Sequence, residues 1–232
     1  MSRLLEFCRA ELGSGFGVAI VENGSSDATP AIADRLAAES PGVVSAIHVP
    51  EKGRGRALRQ AFLGSGAALL GYMDADLSTH LAALPEAVRR LRGGAQLVVG
   101  SRLLPGSHTR RQLRREILSR AYNRLVRALF ESRVRDHQCG FKFLTRDACQ
   151  RLVPLTRDEL WFFDTELLVL AERFGFRIDE IPVDWIEDLG STVRVLRTIR
   201  DDLLGMHRLR RRLRAELRPV SAPGGGAAGR TS

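Results

Sequence analysis

Ala67-Ala68-Leu69-Leu70-Gly71-Tyr72-Met73-Asp74-Ala75-Asp76 is a mostly apolar run that stops abruptly in two carboxylates. Seven such residues after Gly66 read as a buried strand that ends in charge. In an open α/β sheet, ligands bind at that end of a strand. Two acids on alternate residues of an extended chain point to opposite sides. Where the strand gives way to a turn, both can reach one hard cation, which wants oxygen ligands. A cation held there can bind a diphosphate and stabilise it as it leaves. The same residues also fit a helix start, with Asp76, Ser78 or Thr79 capping a segment that begins near His80. An isolated D-x-D leaves both readings open.

The chain around this stretch has 232 residues, enough to bury one substantial core. The expected organisation is one domain over 1–217 and a disordered Pro/Gly-rich tail over 218–232. Three cysteines, Cys8, Cys139 and Cys149, form neither an even framework nor a C-x-x-C pair. That usage fits a reducing cytosol and argues against a zinc site. No stretch approaches the roughly 20 apolar residues of a membrane span, and the N-terminus lacks the apolar core of a signal peptide. A net charge of +9 points to anionic partners such as phosphates, acidic lipid or nucleic acid. Nucleic acid explains the charge but none of the spacing, and two Trp and two Tyr offer little stacking surface.

Helical and strand patterns alternate. Leu4 to Leu12 is amphipathic, Val18 to Val21 strand-like, and Thr29-Pro30 reads as the N-cap and first residue of a helix to about Ser40. Val43 to Val49 reads as a strand, Ala57 to Leu63 as a helix, Pro85 to Leu91 as a helix stopped by Gly93-Gly94, and Leu97 to Val99 as a strand. Such alternation predicts a mostly parallel sheet with helices on both faces. Beyond Gly100 the chain reads as helical and arginine-rich, with one more strand over Arg177 to Val183 before a basic helix.

Two further segments lie at strand ends. Glu22-Asn23-Gly24-Ser25-Ser26-Asp27 offers a carboxylate that can accept hydrogen bonds from a ribose or base. Its glycine lets the backbone pass close to a ligand, although the same residues make an ordinary turn. Glu51-Lys52-Gly53-Arg54-Gly55-Arg56 places two glycines and three cations before a helix, where amides and charge favour a phosphate. A solvated basic turn is the alternative. It is not a Walker A loop, because the G-x-x-x-x-G-K-[ST] spacing is absent. Three sites after three successive strands agree on a nucleoside diphosphate with a metal.

Five segments then carry a resemblance: Tyr72-Met73-Asp74-Ala75-Asp76-Leu77-Ser78, Gly100-Ser101-Arg102, Arg115-Glu116-Ile117-Leu118-Ser119-Arg120, Asp136-His137-Gln138-Cys139-Gly140-Phe141-Lys142 and Trp161-Phe162-Phe163-Asp164-Thr165-Glu166. In this order, from about Leu4 to Leu204, the chain resembles a family 2 glycosyltransferase of the GT-A (nucleotide-diphospho-sugar transferase) fold. The branch is the one that charges polyprenyl phosphates with a sugar, the dolichyl-phosphate glucosyl- and mannosyltransferases. The resemblance implies that Asp74 and Asp76 bind Mg²⁺ or Mn²⁺ with the donor diphosphate and that Ser78 completes the site. It implies that Arg102, Arg115 and Ser119 hold the acceptor phosphate. Glu22, Gly24, Ser25, Lys52 and Arg54 then fall to the nucleotide sugar. Gln138 to Lys142 closes one wall with Lys142 near phosphate, and Asp164 or Glu166 orients the sugar or acts as base, Asp164 being favoured.

The residues make the acceptor assignment physically reasonable. Arg115, Ser119 and Asn123 recur every four positions, on one stripe of a helix. Leu118, Ala121, Tyr122, Leu125 and Leu129 lie on a neighbouring apolar face expected to pack inward. Without the resemblance, an amphipathic surface helix with solvated arginines fits as well. Cys139 reads as a small buried residue, since nothing nearby activates it, and His137 as a surface or packing residue. Relatives open with a strand and a Pro-x-Tyr-Asn-Glu segment that grips the base. This chain starts after it, and Glu22-Asn23-Gly24-Ser25 replaces the usual Asp-Asp-Gly-Ser. The expectation is a start codon placed too late, with the consequence falling on nucleotide binding and stability.

At the other end, Leu196, Ile199, Leu203, Met206, Leu209 or Leu213, and Leu217 form an apolar stripe in a helix over about 193–217. Eight arginines between Val193 and Leu217 face three acids, Asp201, Asp202 and Glu216. Such a helix can lie on anionic lipid, or pack on the domain with its basic face in water. The function expected is metal-dependent, inverting transfer of a hexose, glucose or mannose, from a UDP- or GDP-sugar to a polyprenyl phosphate. The expected place is the cytoplasm, peripheral on the cytoplasmic face of a membrane. Rivals are transfer to another acceptor, and a non-catalytic remnant that binds a partner or membrane.

Overall fold

The computed structural model describes residues 1–110, 112–186 and 195–216. Leu217 and the expected tail over 218–232 lie outside the described residues. Four strands form the main sheet, β3 (Leu69–Met73), β4 (Leu97–Ser101), β6 (Phe141–Thr145) and β7 (Ile178–Pro182), in the order β3-β6-β4-β7. A parallel pair, β1 (Val18–Asn23) with β2 (Val44–Val49), stands as a separate sheet and sets Glu22 opposite His48. A third pair joins β5 (Thr109–Arg110) to β8 (Trp185–Ile186).

The helices fall on both faces of the main sheet, as expected. Successive strand residues point to opposite faces, so Val98, Phe141, Phe143, Ile181 and Val183 build one core with α1 (Ser2–Leu12) and α4 (Ala83–Arg92). Leu70, Tyr72, Leu97, Val99 and Leu144 build the other, under α5 (Leu113–Phe130), α6 (Arg146–Leu152), α7 (Phe163–Arg173) and α8 (Val195–Ala215). Helix α7 runs through the middle of that layer with every residue from Phe163 to Ala171 buried. The remaining helices, α2 (Thr29–Glu39) and α3 (Arg54–Gly64), follow β1 and β2.

Four details depart from the sequence reading. Strand β6, absent from that reading, sits in the sheet centre and is antiparallel to both β3 and β4. Both of its faces are covered, so it shows no polar alternation, and Lys142 in its middle imitates a solvent position. Helix α2 begins at Thr29 itself, with Ala28 and not Thr29 at the cap position and no side chain capping it, and the Asp27 carboxylate accepts from the Thr29 amide at 2.9 Å in the turn that leads in. On α5, Leu118, Leu125 and Ala121 are exposed, and the helix buries Asn123 and Val126 with Tyr122 and Leu129 beside them. On α8 the buried stripe is Asp202, Gly205, Met206 and Leu209, while Leu203 faces water with Leu204. Gly205 lets the helix come down on Phe162, whose ring carbons stand 2.4–2.5 Å from where a Cβ would lie. Leu196 and Leu217 fall outside the described side chains.

The segment between α5 and β6 is pinned by buried polar groups, as buried polar atoms require. The Asn123 side chain accepts from the His137 amide at 2.8 Å and meets the His137 ring at 2.9 Å, while Ser132 Oγ meets the other ring nitrogen at 2.8 Å. His137 is therefore a packing residue with no exposed surface. Burial pushes its pKa down to about 3, with Lys142 adding to the effect. Arg102 binds Asp136 through Nε at 2.7 Å and Nη2 at 2.8 Å. Burial alone would raise the Asp136 pKa, but the Arg102 charge overrides it and holds the carboxyl well below the usual range.

A histidine that is neutral when folded and basic when unfolded contributes a pH-dependent term. Between about pH 6.5 and pH 3 the unfolded chain binds a proton there that the folded chain does not. That stability is fully present above about 6.5 and falls by about 1.4 kcal/mol per pH unit below it. His137→Gln removes the proton penalty, so the gap between wild type and variant is widest at pH 7.5 and narrows towards pH 5 in urea denaturation. A gap that stays constant with pH would show that His137 is not held neutral.

Candidate active site

At the carboxyl ends of β1 and β3, with the segment 136–142 and the start of α7, four of the expected site residues, Asp74, Asp164, Arg54 and Lys142, come together in one connected network. Its centre is Asp164, on the first turn of α7 and buried. Asp164 accepts from Lys142 Nζ at 2.8 Å, from Arg54 Nε at 3.2 Å and from the Tyr72 hydroxyl. The pleat of β6 puts Lys142 on the α7 side of the sheet, and Tyr72 of β3 is its register partner. Burial pushes the Asp164 carboxyl up to about 6 against the pull of Arg54, and pushes the Lys142 ammonium down to about 7.

Arg54 continues the network outward. Its Nη1 donates to Asp74 Oδ1 at 2.9 Å, so one guanidinium bridges Asp74 and Asp164. Its carbon lies 5.2 Å from both the Tyr72 and Trp161 ring centres, within cation–π range of each. Asp74 is placed by its own amide, which donates to Gly140 O at 3.1 Å. Gly140 is needed there, because a Cβ on it would stand 1.8 Å from Asp74 Oδ2. The chain then turns sharply: Leu77 donates to Asp74 O and takes a left-handed φ of 52°. Asp76 is exposed and spends one oxygen on the Ser78 amide at 2.9 Å. It caps no helix, since α4 starts only at Ala83 and has no side-chain cap.

These residues fit a divalent ion of a particular kind. The Asp74 carboxylate already faces a cation, and Gly140 leaves room around it. Among the described residues no group of three or more His, Cys, Asp or Glu side chains could hold an ion. An ion at Asp74 and Asp76 would draw its other ligands from a diphosphate and water, the manner in which Mg²⁺ is usually held.

The β1 corner joins through Asn23, whose Oδ1 accepts from the Gly53 amide at 2.8 Å beside Arg54. Glu22 is not open to a ligand: it meets His48 Nδ1 at 3.0 Å and accepts from the Ser25 amide at 3.2 Å. His48 in turn meets Asp34 at 2.8 Å, and its hydrogen bonds to Asp34 and Glu22 raise its pKa. Gly24 takes a φ of 59° as the chain passes Lys52 and Pro50, with no space for a Cβ. Lys52 is exposed at the rim.

Several expected contacts are occupied differently. The first amides of α3 are not free for phosphate, because Gly55 donates to Leu160 O and Arg56 to Glu159 O, both at 3.1 Å. The glycines of this turn exist for that loop, since a Cβ on Gly53 or Gly55 would press on Glu159 O or Asp158 O. Glu166 does not face the site. It accepts from the Arg157 and Asp158 amides at 2.8 and 2.7 Å and so fixes the loop that carries Trp161. Arg102 is committed to Asp136 and lies over the Trp185 ring. Gln138 donates to Asp202 on α8 at 2.8 Å, and Lys142 is sealed behind Asp164. The other two expected acceptor residues, Arg115 and Ser119, lie one turn apart on α5. The Ser119 hydroxyl is a buried oxygen without a hydrogen-bond partner among the described residues. Asn123, the third of that stripe, belongs to the packing around His137. Cys139 is fully buried, and burial raises its thiol pKa to about 11, which suits a packing residue. The sequence reading missed Tyr72, His48 and the bridging of Arg54. Tyr72 was visible only as an apolar strand position.

Comparison with known proteins gives this geometry its relatives. Residues 2–153 match the family described as Glycosyl transferase family 2. Glycosyltransferase AglD of Haloferax volcanii is 44% identical over 192 residues, which are 82% of this chain and 30% of AglD. The dolichyl-phosphate beta-glucosyltransferase of Homo sapiens is 33% identical over 190 residues, 76% of this chain and 57% of the human protein. The chain thus spans less than two thirds of either relative. Glucosyl-3-phosphoglycerate synthase of Mycobacterium tuberculosis, solved with Mn²⁺, UDP-glucose and phosphoglyceric acid, is 18% identical with a TM-score of 0.63 over 83% of this chain and 68% of that one. That likeness establishes the GT-A fold. With a family match over most of its length and relatives above 30% identity, the chain belongs to glycosyl transferase family 2.

Proposed function

We propose that this chain transfers a hexose, with inversion, from a nucleoside diphosphate sugar to a polyprenyl phosphate, and that it does so with Mg²⁺ or Mn²⁺. The observation that carries the reading is the turn at the end of β3, where Asp74 and Asp76 stand beside a buried cation-and-carboxylate network. Relatives named dolichyl-phosphate beta-glucosyltransferases support the acceptor. A divalent ion at Asp74 and Asp76 supplies positive charge for the departing diphosphate. Arg54 and Trp161 form the wall against which the donor lies. Asp164 is a positioning residue and not a free base, since three donors already point at it.

The acceptor needs little deprotonation, because a phosphate monoester has a second pKa of about 6. One phosphate oxygen attacks the anomeric carbon, the new C–O bond forms on the face opposite the diphosphate, and the old C–O bond breaks. Positioning then dominates the rate. Arg115 and Ser119, one turn apart on α5, are the pair proposed to hold that phosphate. The unpartnered Ser119 hydroxyl supports this, since buried polar groups find partners when the site is filled.

We place the enzyme on an anionic membrane surface at its cytoplasmic face. No helix among the described residues is long and apolar enough to cross a membrane. The outward side of α8 carries exposed Arg210, Arg211 and Arg214 with Leu203 and Leu204, and exposed Leu113, Ile117 and Leu118 lie on neighbouring α5. Apolar side chains ringed by arginine suit an acidic lipid interface.

Three measurements test this function. With labelled UDP-glucose or GDP-mannose and a detergent-dispersed polyprenyl phosphate, Asp76→Ala lowers transfer about a hundredfold or more, and EDTA removes it. Turnover that survives both would overturn the metal role. Arg115→Ala raises KM for the polyprenyl phosphate about tenfold or more and leaves KM for the donor unchanged. An unaltered acceptor KM would point to a different acceptor. In flotation assays the chain rises with vesicles containing phosphatidylglycerol and not with phosphatidylcholine alone, and the triple change of Arg210, Arg211 and Arg214 to Glu abolishes it. Each cation contributes about 1 kcal/mol there. Flotation that ignores lipid charge would remove the anionic surface from the proposal.

A further inference from the structure

Arg54 occupies a position that the donor reading does not explain. Its guanidinium sits on the carboxylate assigned to a divalent ion, at 2.9 Å from Asp74 Oδ1. It is held there from three sides, by Asp164 through Nε and by the Tyr72 and Trp161 rings. A solvated surface arginine would not be so confined. Without a metal, the Asp74 oxygen has the Arg54 guanidinium as its cation.

We propose that Arg54 is a resident counter-cation that competes with the divalent ion for Asp74 and thereby couples metal binding to diphosphate binding. This rests on the donor-site reading above. An ion arriving alone must displace a charge-assisted hydrogen bond, one of the stronger kind, and leave the guanidinium with one carboxylate in place of two. An ion arriving with a diphosphate brings a new anionic partner for Arg54. The Nε bond to Asp164 and the two aromatic walls keep the guanidinium at the site while Nη1 moves from Asp74 to a phosphate oxygen. Metal and nucleotide then bind with positive coupling, each raising the affinity of the other by the same factor. The arrangement keeps a free divalent ion from filling the site unproductively. It also keeps Asp74 compensated between turnovers, where a lone half-buried carboxylate would be costly.

The experiment is Mn²⁺ binding to the full chain, read from the electron paramagnetic resonance of the free ion, without nucleotide and with saturating UDP or GDP. Wild type binds Mn²⁺ weakly alone and about tenfold to a hundredfold more tightly with the diphosphate, the range expected for a charge-assisted hydrogen bond. Arg54→Met, checked for folding by its thermal transition, binds Mn²⁺ more tightly than wild type in the absence of nucleotide and loses most of the enhancement. Arg54→Lys, a point charge that cannot span both carboxylates, falls between the two. Trp161 fluorescence supplies a second readout: it changes when Mn²⁺ and nucleotide bind together to wild type, and not in Arg54→Met. If wild type binds Mn²⁺ with nucleotide but Arg54→Met shows no gain for the ion alone, the counter-cation role is wrong and the donor site stands. If wild type binds no Mn²⁺ even with UDP or GDP, the donor reading fails and this inference fails with it.

Discussion

A carboxylate removed from water, Asp164, holds the site together. Tyr72 on β3, Lys142 on β6 and Arg54 on α3 all donate to it from three different elements. Burying an ammonium and a carboxylate together adds little net stability, because desolvation consumes most of the attraction. Removing one partner is another matter, since it strands the other charge and costs about 3–5 kcal/mol. The cluster is therefore poor as a stabiliser and good as a clamp. It fixes where β3 ends, hence where Asp74 stands, and it fixes the root of Arg54.

The loop before α7 shows how the same residue types can serve packing or binding. Gly53 and Gly55 among cations before a helix have the composition of an anion-binding turn. In the structure the carbonyls of Glu159 and Leu160 take the helix amides, and the glycines give those carbonyls room. The electrostatic logic of a helix N-terminus still operates, but its partner is another piece of chain. What that closure achieves is to lay Trp161 over Arg54. Glu166, from inside α7, holds the loop by two of its amides. The charge that this turn sends into the site is a side chain, Arg54, and not a backbone cradle.

Much of this was legible in the residues. The run into Asp74-Ala75-Asp76, the alternation of strands and helices, and the order of the five family segments located the fold and the turn that ends β3. Less visible was anything that depends on long-range burial. Strand β6 escaped because a strand covered on both faces has no alternation, and because a lysine in a five-residue stretch reads as solvent. The face of α5 escaped for a related reason. Leu118, Tyr122 and Leu125 share one side of the helical wheel and Asn123 lies well round from Leu118, so an apolar pattern turns the leucines inward and cannot say that Asn123 goes inside to meet His137 while Leu118 stays out. On α8 the buried member is Asp202 and the exposed one Leu203, an inversion that only the neighbouring Gln138 explains. Hydrophobic pattern finds a helix more reliably than it finds which side of the helix is down.

The +9 charge separates into two populations with different work. Arg54, Arg102 and Lys142 are buried or nearly so, each joined to a carboxylate, and they add nothing to the field outside. The arginines of α5 and α8 stand mainly at the surface, around apolar side chains that a soluble helix would normally turn inward. If these faces served solubility alone, the exposed positions between the arginines would be polar, as on an ordinary amphipathic surface helix. Leu113, Ile117, Leu118, Leu203 and Leu204 occupy them instead. Arg115 and Ser119 lie on the same helix as the first three. Under the proposed function, a phosphate that carries a lipid tail needs its charged end received and its apolar end kept out of water, and α5 offers Arg115 and Ser119 for the first and Leu113, Ile117 and Leu118 for the second. The proposed acceptor and the proposed bilayer surface then pose one problem, and a single helix carries residues suited to both.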